Sequence, residues 1–198
     1  MSRMDDQFAF LREIDKAKFV QRQNYLTGGE RKENDAEHSW HLAVMAYLFK
    51  EYADEEVDLA KTMMMLLTHD LVEIDAGDTY AYDEKAQKTK RERENKAADR
   101  LFGMLPEDQR EELRNLWEEF EQWETPEARY AHAMDNIQPI MLNDATLGKA
   151  WKEHKVKLGQ ILTRNRKTSK GAPSLWKYAY EKFIQPNVKK GAIVDDIF

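Results

Sequence analysis

Apolar residues recur at helical spacing along most of the chain. Between Ala36 and Tyr52 the positions Leu42, Met45, Ala46 and Phe49 return every three or four residues, and Asn34 and Asp35 precede them as N-cap candidates, which predicts an amphipathic helix. From Val57 to Leu71 the run Met63-Met64-Met65-Leu66-Leu67 leaves almost no polar side, so this segment is expected as a central, buried helix that ends before Gly77. Asp83 to Gly103 reads as a charged amphipathic helix. Leu105-Pro106-Glu107 places a proline at a first helical position and opens a helix over Glu107 to Trp123. Thr125-Pro126-Glu127 repeats the signal and predicts one long helix reaching about Trp151. The basic, hydroxyl-bearing stretch Thr163 to Pro173 reads as a mobile loop, Leu175 to Ile184 as a last helix, and the tail beyond Pro186 as extended.

Glycine and proline are scarce, at 8 and 5 residues, while Ala, Leu and Met outnumber Val, Ile and Thr by 46 to 24. The expected fold class is therefore all-α. No repeat, low-complexity tract or long linker divides the 198 residues, so a single domain is expected, with a core over about 10–145 and a C-terminal helical extension over about 146–198. The net charge of −6 repels nucleic acid and anionic lipid, and neither is the expected partner. Lys149 to Lys170 departs from that balance, with eight basic residues against one acidic, and offers a local strip for a phosphate or a polynucleotide. The apolar run Leu42 to Phe49 is far shorter than the roughly 20 residues of a membrane span, and no apolar leader follows Met1, so a cytoplasmic protein is expected.

With no cysteine in the chain, metal binding falls to His, Asp and Glu. Four positions stand out: His38, the pair His69-Asp70 at the end of the apolar helix, and Asp135 in the long helix. Burying His69 and Asp70 without partners costs several kcal/mol, and a bound metal is an efficient partner. Two neutral imidazoles with two carboxylates suit a divalent ion such as Mn, Co, Fe, Ni, Zn or Mg, with coordination positions left for water. Taken alone, each of the four also reads as an ordinary polar helix residue.

The ordered series Arg31-Lys32-Glu33-Asn34-Asp35-Ala36-Glu37-His38-Ser39, then His69-Asp70-Leu71-Val72-Glu73-Ile74-Asp75-Ala76-Gly77-Asp78, then Ala133-Met134-Asp135, resembles the HD-domain metal-dependent phosphohydrolases. It looks closest to the branch that includes the bacterial 5′-deoxynucleotidases and their eukaryotic relatives. The resemblance runs from about Phe10 to Asp144 and includes Leu105-Pro106-Glu107-Asp108 and Trp117-Glu118-Glu119-Phe120-Glu121. It implies an HD-domain helical bundle in which His38, His69, Asp70 and Asp135 are the metal ligands. It also implies Glu73 and Asp78 at the mouth of the site, with Glu73 orienting or deprotonating the attacking water, and Arg22 on the phosphate side of the substrate. After Arg22 the deoxynucleotidases carry a tryptophan that packs against the sugar, whereas this chain has Gln23, so a ribose 2′-hydroxyl is expected to be tolerated.

The resemblance thus implies an enzyme that hydrolyses nucleoside 5′-monophosphates or similar small phosphomonoesters with metal-activated water. The alternative is a non-catalytic metal-binding or nucleic-acid-associated helical scaffold; Glu73 and Asp78, which a structural metal does not require, favour the enzyme. His41 and His132 lie three residues from His38 and Asp135 and read as supporting or core histidines, and Asp75 as a solvated loop carboxylate. The charge run Lys85 to Lys96 reads as i,i+4 pairing on an exposed helix. Five tryptophans exceed the needs of one core this size, so a homodimer is expected, joined through Trp117 and Trp123 or through Trp176, Tyr178 and Tyr180.

Overall fold

The computed structural model describes residues 2–197. Helix α1 (Arg3–Ile14) begins at a capping box in which the Ser2 hydroxyl accepts from the Asp5 amide and the Asp5 carboxylate accepts from the Ser2 amide. A 3-10 turn leads into a hairpin of β1 (Gln21–Tyr25) and β2 (Lys32–Asn34), paired antiparallel. Then follow α2 (Asp35–Leu48), α3 (Leu59–Thr68), the single turn α4 (Glu73–Ala76), α5 (Glu84–Phe102), α6 (Glu107–Gln122) and α7 (Pro126–Ala145). The C-terminal part is built from α8 (Lys149–Glu153), α9 (Leu158–Arg164), α10 (Pro173–Ala179), a π-helical turn over Tyr180–Ile184, and α11 (Gln185–Lys189). The all-α expectation holds, and the hairpin and α1 are additions to it.

The central helix is α7, not α3. Every residue of α7 from Tyr130 to Gln138 is buried, and its alanines Ala128, Ala131 and Ala133 let α2, α3, α6 and α10 pack against it. Helix α3 lies at the edge of this cluster and leaves Met64 and Leu67 exposed at 43% and 41%. An apolar perimeter in sequence therefore marks a helix with a second apolar face, not the middle of the fold. A separate cluster of Phe10, Val72, Ala98, Leu101, Phe102 and Trp117 joins α1, α5 and α6. Trp117 is fully buried there, which removes it from any surface interface. His69 and Asp70 fall between the two clusters, at the point where α3 gives way to α4.

Three C-terminal expectations are corrected. The long helix stops at Ala145 because Leu147 and Gly148 are left-handed, with φ of 54° and 70°, and the Gly148 amide turns back onto the Asn143 carbonyl at 2.7 Å. A Cβ on Gly148 would also meet Ala192 Cβ at 2.6 Å, so the glycine answers both a backbone and a packing demand. The stretch Thr163 to Pro173 is a packed corner, not a mobile loop. Thr168 is fully buried, and Gly171 lies so close to α7 that a Cβ there would sit 2.0 Å from the Arg129 carbonyl oxygen. Beyond Pro186 the chain stays helical to Lys189 before Val194 pairs with Lys157 in a parallel bridge. Among the described residues no helix is long and apolar enough to cross a membrane.

Candidate metal centre

Four elements deliver the candidate ligands to one point. At the start of α2 the Asn34 side chain accepts from the Glu37 amide at 3.0 Å, and the Glu37 carboxylate accepts from the Asn34 amide. Asn34 is thus the cap, and Asp35, the other N-cap candidate, turns its carboxylate inward. His38 follows one turn later, fully buried. Helix α3 ends at His69, whose amide donates to the Met65 carbonyl, and a tight turn closed by Glu73 N–H onto Asp70 O at 2.9 Å starts α4. Asp135 comes from the middle of α7, and the hairpin presses Arg22 against the group from the side.

The donor atoms converge. His38 Nε2 is 3.1 Å from Asp135 Oδ1, His69 Nε2 is 3.1 Å from Asp70 Oδ2 and 3.8 Å from Asp135 Oδ1, and His38 Nε2 is 3.9 Å from Asp70 Oδ2. His38, His69 and Asp135 each offer one atom to a group within 4.8 Å, and Asp35, Asp70 and Glu73 form an adjoining acidic group of the same span. The far nitrogens of both imidazoles are already engaged: His69 Nδ1 faces the Leu66 carbonyl at 2.8 Å, and His38 Nδ1 faces Gln138 Oε1 at 3.1 Å. The Gln138 amide is itself oriented by donating to Glu33 Oε1 at 2.6 Å. A carbonyl oxygen can only accept, so both Nδ1 atoms carry hydrogen and both Nε2 atoms are left to face carboxylate oxygens. That buried meeting of acceptors calls for a cation, whether protons on the imidazoles or a metal ion between the groups. His69 Nε2 and both Asp35 oxygens have no hydrogen-bond partner, which is the condition a metal relieves. The residues fit a divalent ion.

The proton balance makes the same point. Burial pushes His69 and His38 toward the neutral form, yet the carboxylates around them hold His69 well above and His38 above the ordinary histidine value. Burial raises Asp70 and Asp135, but His69 and Arg22 beside Asp70, and the two imidazoles beside Asp135, keep both below the usual carboxylate range. At Asp35, burial and the Asp70 charge outweigh Arg22 and push it up to about 8. Glu73 is held well above its usual value by burial and by the charge of Asp70, and Asp78 is raised chiefly by burial. Arg22 donates from Nη1 to Asp70 Oδ2 at 2.6 Å, and its guanidinium also lies 3.6 Å from Asp35 and 3.8 Å from Glu33.

Beside this cluster opens a cavity of about 290 Å³ whose lining includes Arg22, Gln23, Glu73, Asp78, Asp135 and Arg164. All eight residues picked out in the sequence therefore lie in or against one place, with His38 the fully buried member behind it. Gln23 reaches the cavity with its side-chain oxygen held by Lys32 Nζ at 2.6 Å. His41, half-buried, touches Gln138 Nε2 at 3.3 Å and so supports His38 indirectly. Asp75 pairs with Arg100, away from the cavity. The run Lys85 to Lys96 is not wholly solvated: Lys90 and Glu94 turn inward, pair at 3.3 Å and line the cavity. Glu33, Asp35, Lys90 and Arg164 are members of the site that the sequence did not single out. Glu33 and Asp35 stand inside the same motif as His38, but their inward direction depends on the hairpin.

His132 is a core histidine. It stacks on Phe120 and Trp123 at 3.7 and 3.6 Å, and Nε2 donates to the Phe120 carbonyl at 2.7 Å. Trp123 adopts the left-handed φ of 63°, strained for an aromatic residue and offset here by the stack. Burial depresses His132 to about 3. Between that value and the ordinary 6.5 the unfolded chain binds a proton that the native state refuses, so stability is complete above pH 6.5 and is lost as pH falls toward 3. Going from pH 7 to pH 4.5 should cost wild type about 2–3 kcal/mol more than His132→Phe, read as denaturant unfolding free energies at both pH values. Equal losses would show that the ring is not held neutral.

The HD-domain family profile matches residues 14–176. The chain is 32% identical over 133 residues to the human 5′-deoxynucleotidase HDDC2, covering 67% of this chain and 64% of that protein. It is 30% identical over 139 residues to the Danio rerio 5′-deoxynucleotidase HDDC2, covering 70% and 68%. The chain thus spans a little under two thirds of the human relative's length. A crystal structure described as a predicted metal-dependent phosphohydrolase from Magnetospirillum magnetotacticum MS-1 superposes with a TM-score of 0.92 at 47% identity, covering 97% of this chain and 96% of that one. With a matching profile over most of its length and its histidines and aspartates gathered at one buried point, the chain belongs to the HD-domain family.

Proposed function

We propose that the protein is a divalent-metal-dependent phosphohydrolase acting on nucleoside 5′-monophosphates or similar small phosphomonoesters, with residues 1–198 working as one domain. The observation that carries this reading is the pair of buried imidazoles whose Nε2 atoms converge on Asp135 and Asp70, each at 3.1 Å. A divalent ion, one of Mn, Co, Fe, Ni, Zn or Mg, would be held by His38, His69, Asp70 and Asp135 and would supply Lewis acidity to the attacking water and the phosphoryl oxygens. With an ion bound to offset the burial and the Asp70 charge that otherwise keep Glu73 protonated, its Oε2, a buried atom without a hydrogen-bond partner, would accept the proton of that water. Asp78 lines the same cavity and orients the water, while Arg22 faces the phosphoryl oxygens and Gln23 stands by the sugar. The names of the relatives, a 5′-deoxynucleotidase and a predicted metal-dependent phosphohydrolase, support both the reaction and the substrate class.

A scaffold reading fits less well, because Glu73 and Asp78 are placed beside the candidate ion with no structural partner that needs them. The basic segment is also a poor nucleic-acid strip. Lys149 donates to the Gly29 carbonyl and covers the Tyr25 ring at 3.8 Å, and Arg164 faces the cavity.

Self-association is part of the proposal, on a different surface from the one the sequence suggested. Along α2 the residues Trp40, Val44, Tyr47 and Leu48 form an outward apolar stripe, exposed at 64%, 39%, 65% and 62%, beside exposed Met64 and Leu67 of α3. Apolar area of this kind is what a second copy covers. Light scattering at micromolar concentration should return a dimer mass for wild type and a shift toward monomer for Tyr47→Glu with metal content retained. A monomeric wild type would end the proposal.

The reaction is tested on protein stripped with a chelator, each divalent ion then being restored and phosphate release followed on matched ribo- and deoxyribonucleoside monophosphates. Activity should return with at least one ion, kcat/KM for the two sugars should differ by less than about tenfold because Gln23 leaves room for the 2′-hydroxyl, and Asp70→Ala should lose bound metal and activity together. No release from any ester with any ion would refute the reading.

Glu73→Gln separates chemistry from metal binding. The variant should keep its ion by elemental analysis and lose roughly 10²–10⁴-fold in kcat. Near-normal turnover would move the proton acceptor to Asp78 or to bulk water.

A further inference from the structure

We propose that Arg164, from the C-terminal part of the chain, is a substrate-binding residue that holds the phosphate group in the cavity. The inference rests on the phosphohydrolase reading and gives it a residue outside the motifs that define the family resemblance.

A phosphomonoester carries about −1.5 to −2 at neutral pH, and the wall it approaches includes Asp70, Glu73, Asp78, Glu94, Glu121 and Asp135, with Glu33 and Asp35 buried behind it. Cations in the cavity must therefore offset both the wall and the substrate. Arg22 is committed: Asp70 takes its Nη1 at 2.6 Å, and Asp35 and Glu33 lie at 3.6 and 3.8 Å. Lys90 is committed to Glu94 at 3.3 Å, with the charges of Glu73 and Glu121 also acting on it. Arg164 is different. Its side chain is 39% exposed, it lines the cavity, and its single ionic partner is Asp135 Oδ2 at 3.6 Å from Nη2. No hydrogen bond joins its guanidinium to any described residue, so its donors remain available to phosphoryl oxygens in the forked geometry that guanidinium provides.

Its position is built, not incidental. The next residue, Asn165, is buried; its amide donates to the Ile161 carbonyl at 2.9 Å and its oxygen accepts from the Thr168 hydroxyl at 3.1 Å. Thr168 in turn accepts from Asn136 Nδ2 at 3.1 Å, and Asn136 is the neighbour of Asp135 on α7. This buried chain of hydrogen bonds ties the end of α9 to α7 within one residue of both Arg164 and Asp135. The two oxygens of Asp135 are thereby divided: Oδ1 faces His38 at 3.1 Å, and Oδ2 faces Arg164. A group beside Asp135 meets the ion's ligands on one side and the free guanidinium on the other.

The test is calorimetric titration of inorganic phosphate into the metal-loaded protein at fixed ionic strength, comparing wild type with Arg164→Met and Arg164→Lys. Wild type should bind phosphate. Arg164→Met should weaken binding by about tenfold or more, and Arg164→Lys by less, with metal content and thermal midpoint unchanged in both. With a nucleoside monophosphate as substrate, the same order should be seen in KM, with kcat less affected. Phosphate binding by Arg164→Met equal to wild type, loss of the ion along with phosphate, or no phosphate binding by wild type would each overturn the assignment. Arg164-dependent phosphate binding in a protein that hydrolyses no monophosphate would uphold it and refute the hydrolase reading instead.

Discussion

The structure depends on the concentration of carboxylates in a place with little water. Glu33, Asp35, Glu73 and Asp135 are each less than a tenth exposed, and Asp70 adjoins them. Removing such groups from water costs several kcal/mol apiece unless a cation returns most of it. Arg22 is the cation the chain itself provides, which is why the hairpin exists: β1 and β2 carry a guanidinium and Glu33 to the same point. The remaining deficit is visible in protons, with Asp35 driven up to about 8 and His69 held well above its ordinary value. A divalent ion would replace those protons with a charge that both imidazoles and both aspartates could share.

Much of the supporting architecture orients that cluster. The Leu66 carbonyl fixes the His69 tautomer only because α3 ends there, and Gln138 fixes His38 only because it lies one turn beyond Asp135 on α7. The near-complete burial of α7 then has a chemical reason besides packing: it brings Asp135, Gln138 and His132 into the interior on one helix. The same helix holds the C-terminal part through Asn136, so the segment after Ala145 is joined to the site as well as to the core.

How much of this was legible in the sequence depended on whether a signal was local. Periodicity, with Pro106 just before α6, placed α5 and α6 within a residue or so, because amphipathic spacing and N-terminal boundary residues act locally; Pro106 proves to be the N-cap and not the first helical residue. The hairpin was missed because Gln21 to Tyr25 is polar and has no alternating apolar face; its pairing is held by the ion pairs of Arg22 and by the turn through Gly28-Gly29. The end of α7 was missed because Gly148 acts through a close approach of Ala192, a contact across the fold. The candidate ligands were visible as His and Asp at ordered separations in apolar settings. Glu33, Lys90 and Arg164 were not, since a charge on an exposed helix and a charge turned inward have the same sequence.

That difference bears on how the family pattern should be read. The motif residues His38, His69, Asp70 and Asp135 are gathered largely by local hydrogen bonds, such as His69 Nδ1 to the Leu66 carbonyl and the Glu73 amide to the Asp70 carbonyl. What surrounds the leaving group comes from elsewhere: Gln23 from β1, Tyr80 and Tyr82 from the segment after α4, Trp151 from α8 and Arg164 from α9 all line the cavity. Tyr80 and Tyr82 meet edge to face at 5.3 Å, and Trp151 is a buried core residue, so the lining is aromatic as well as ionic. Under the proposed reaction, discrimination among phosphate esters would fall to these side chains from β1, α8, α9 and the segment after α4, and hydrolysis to the cluster of imidazoles and carboxylates beside them.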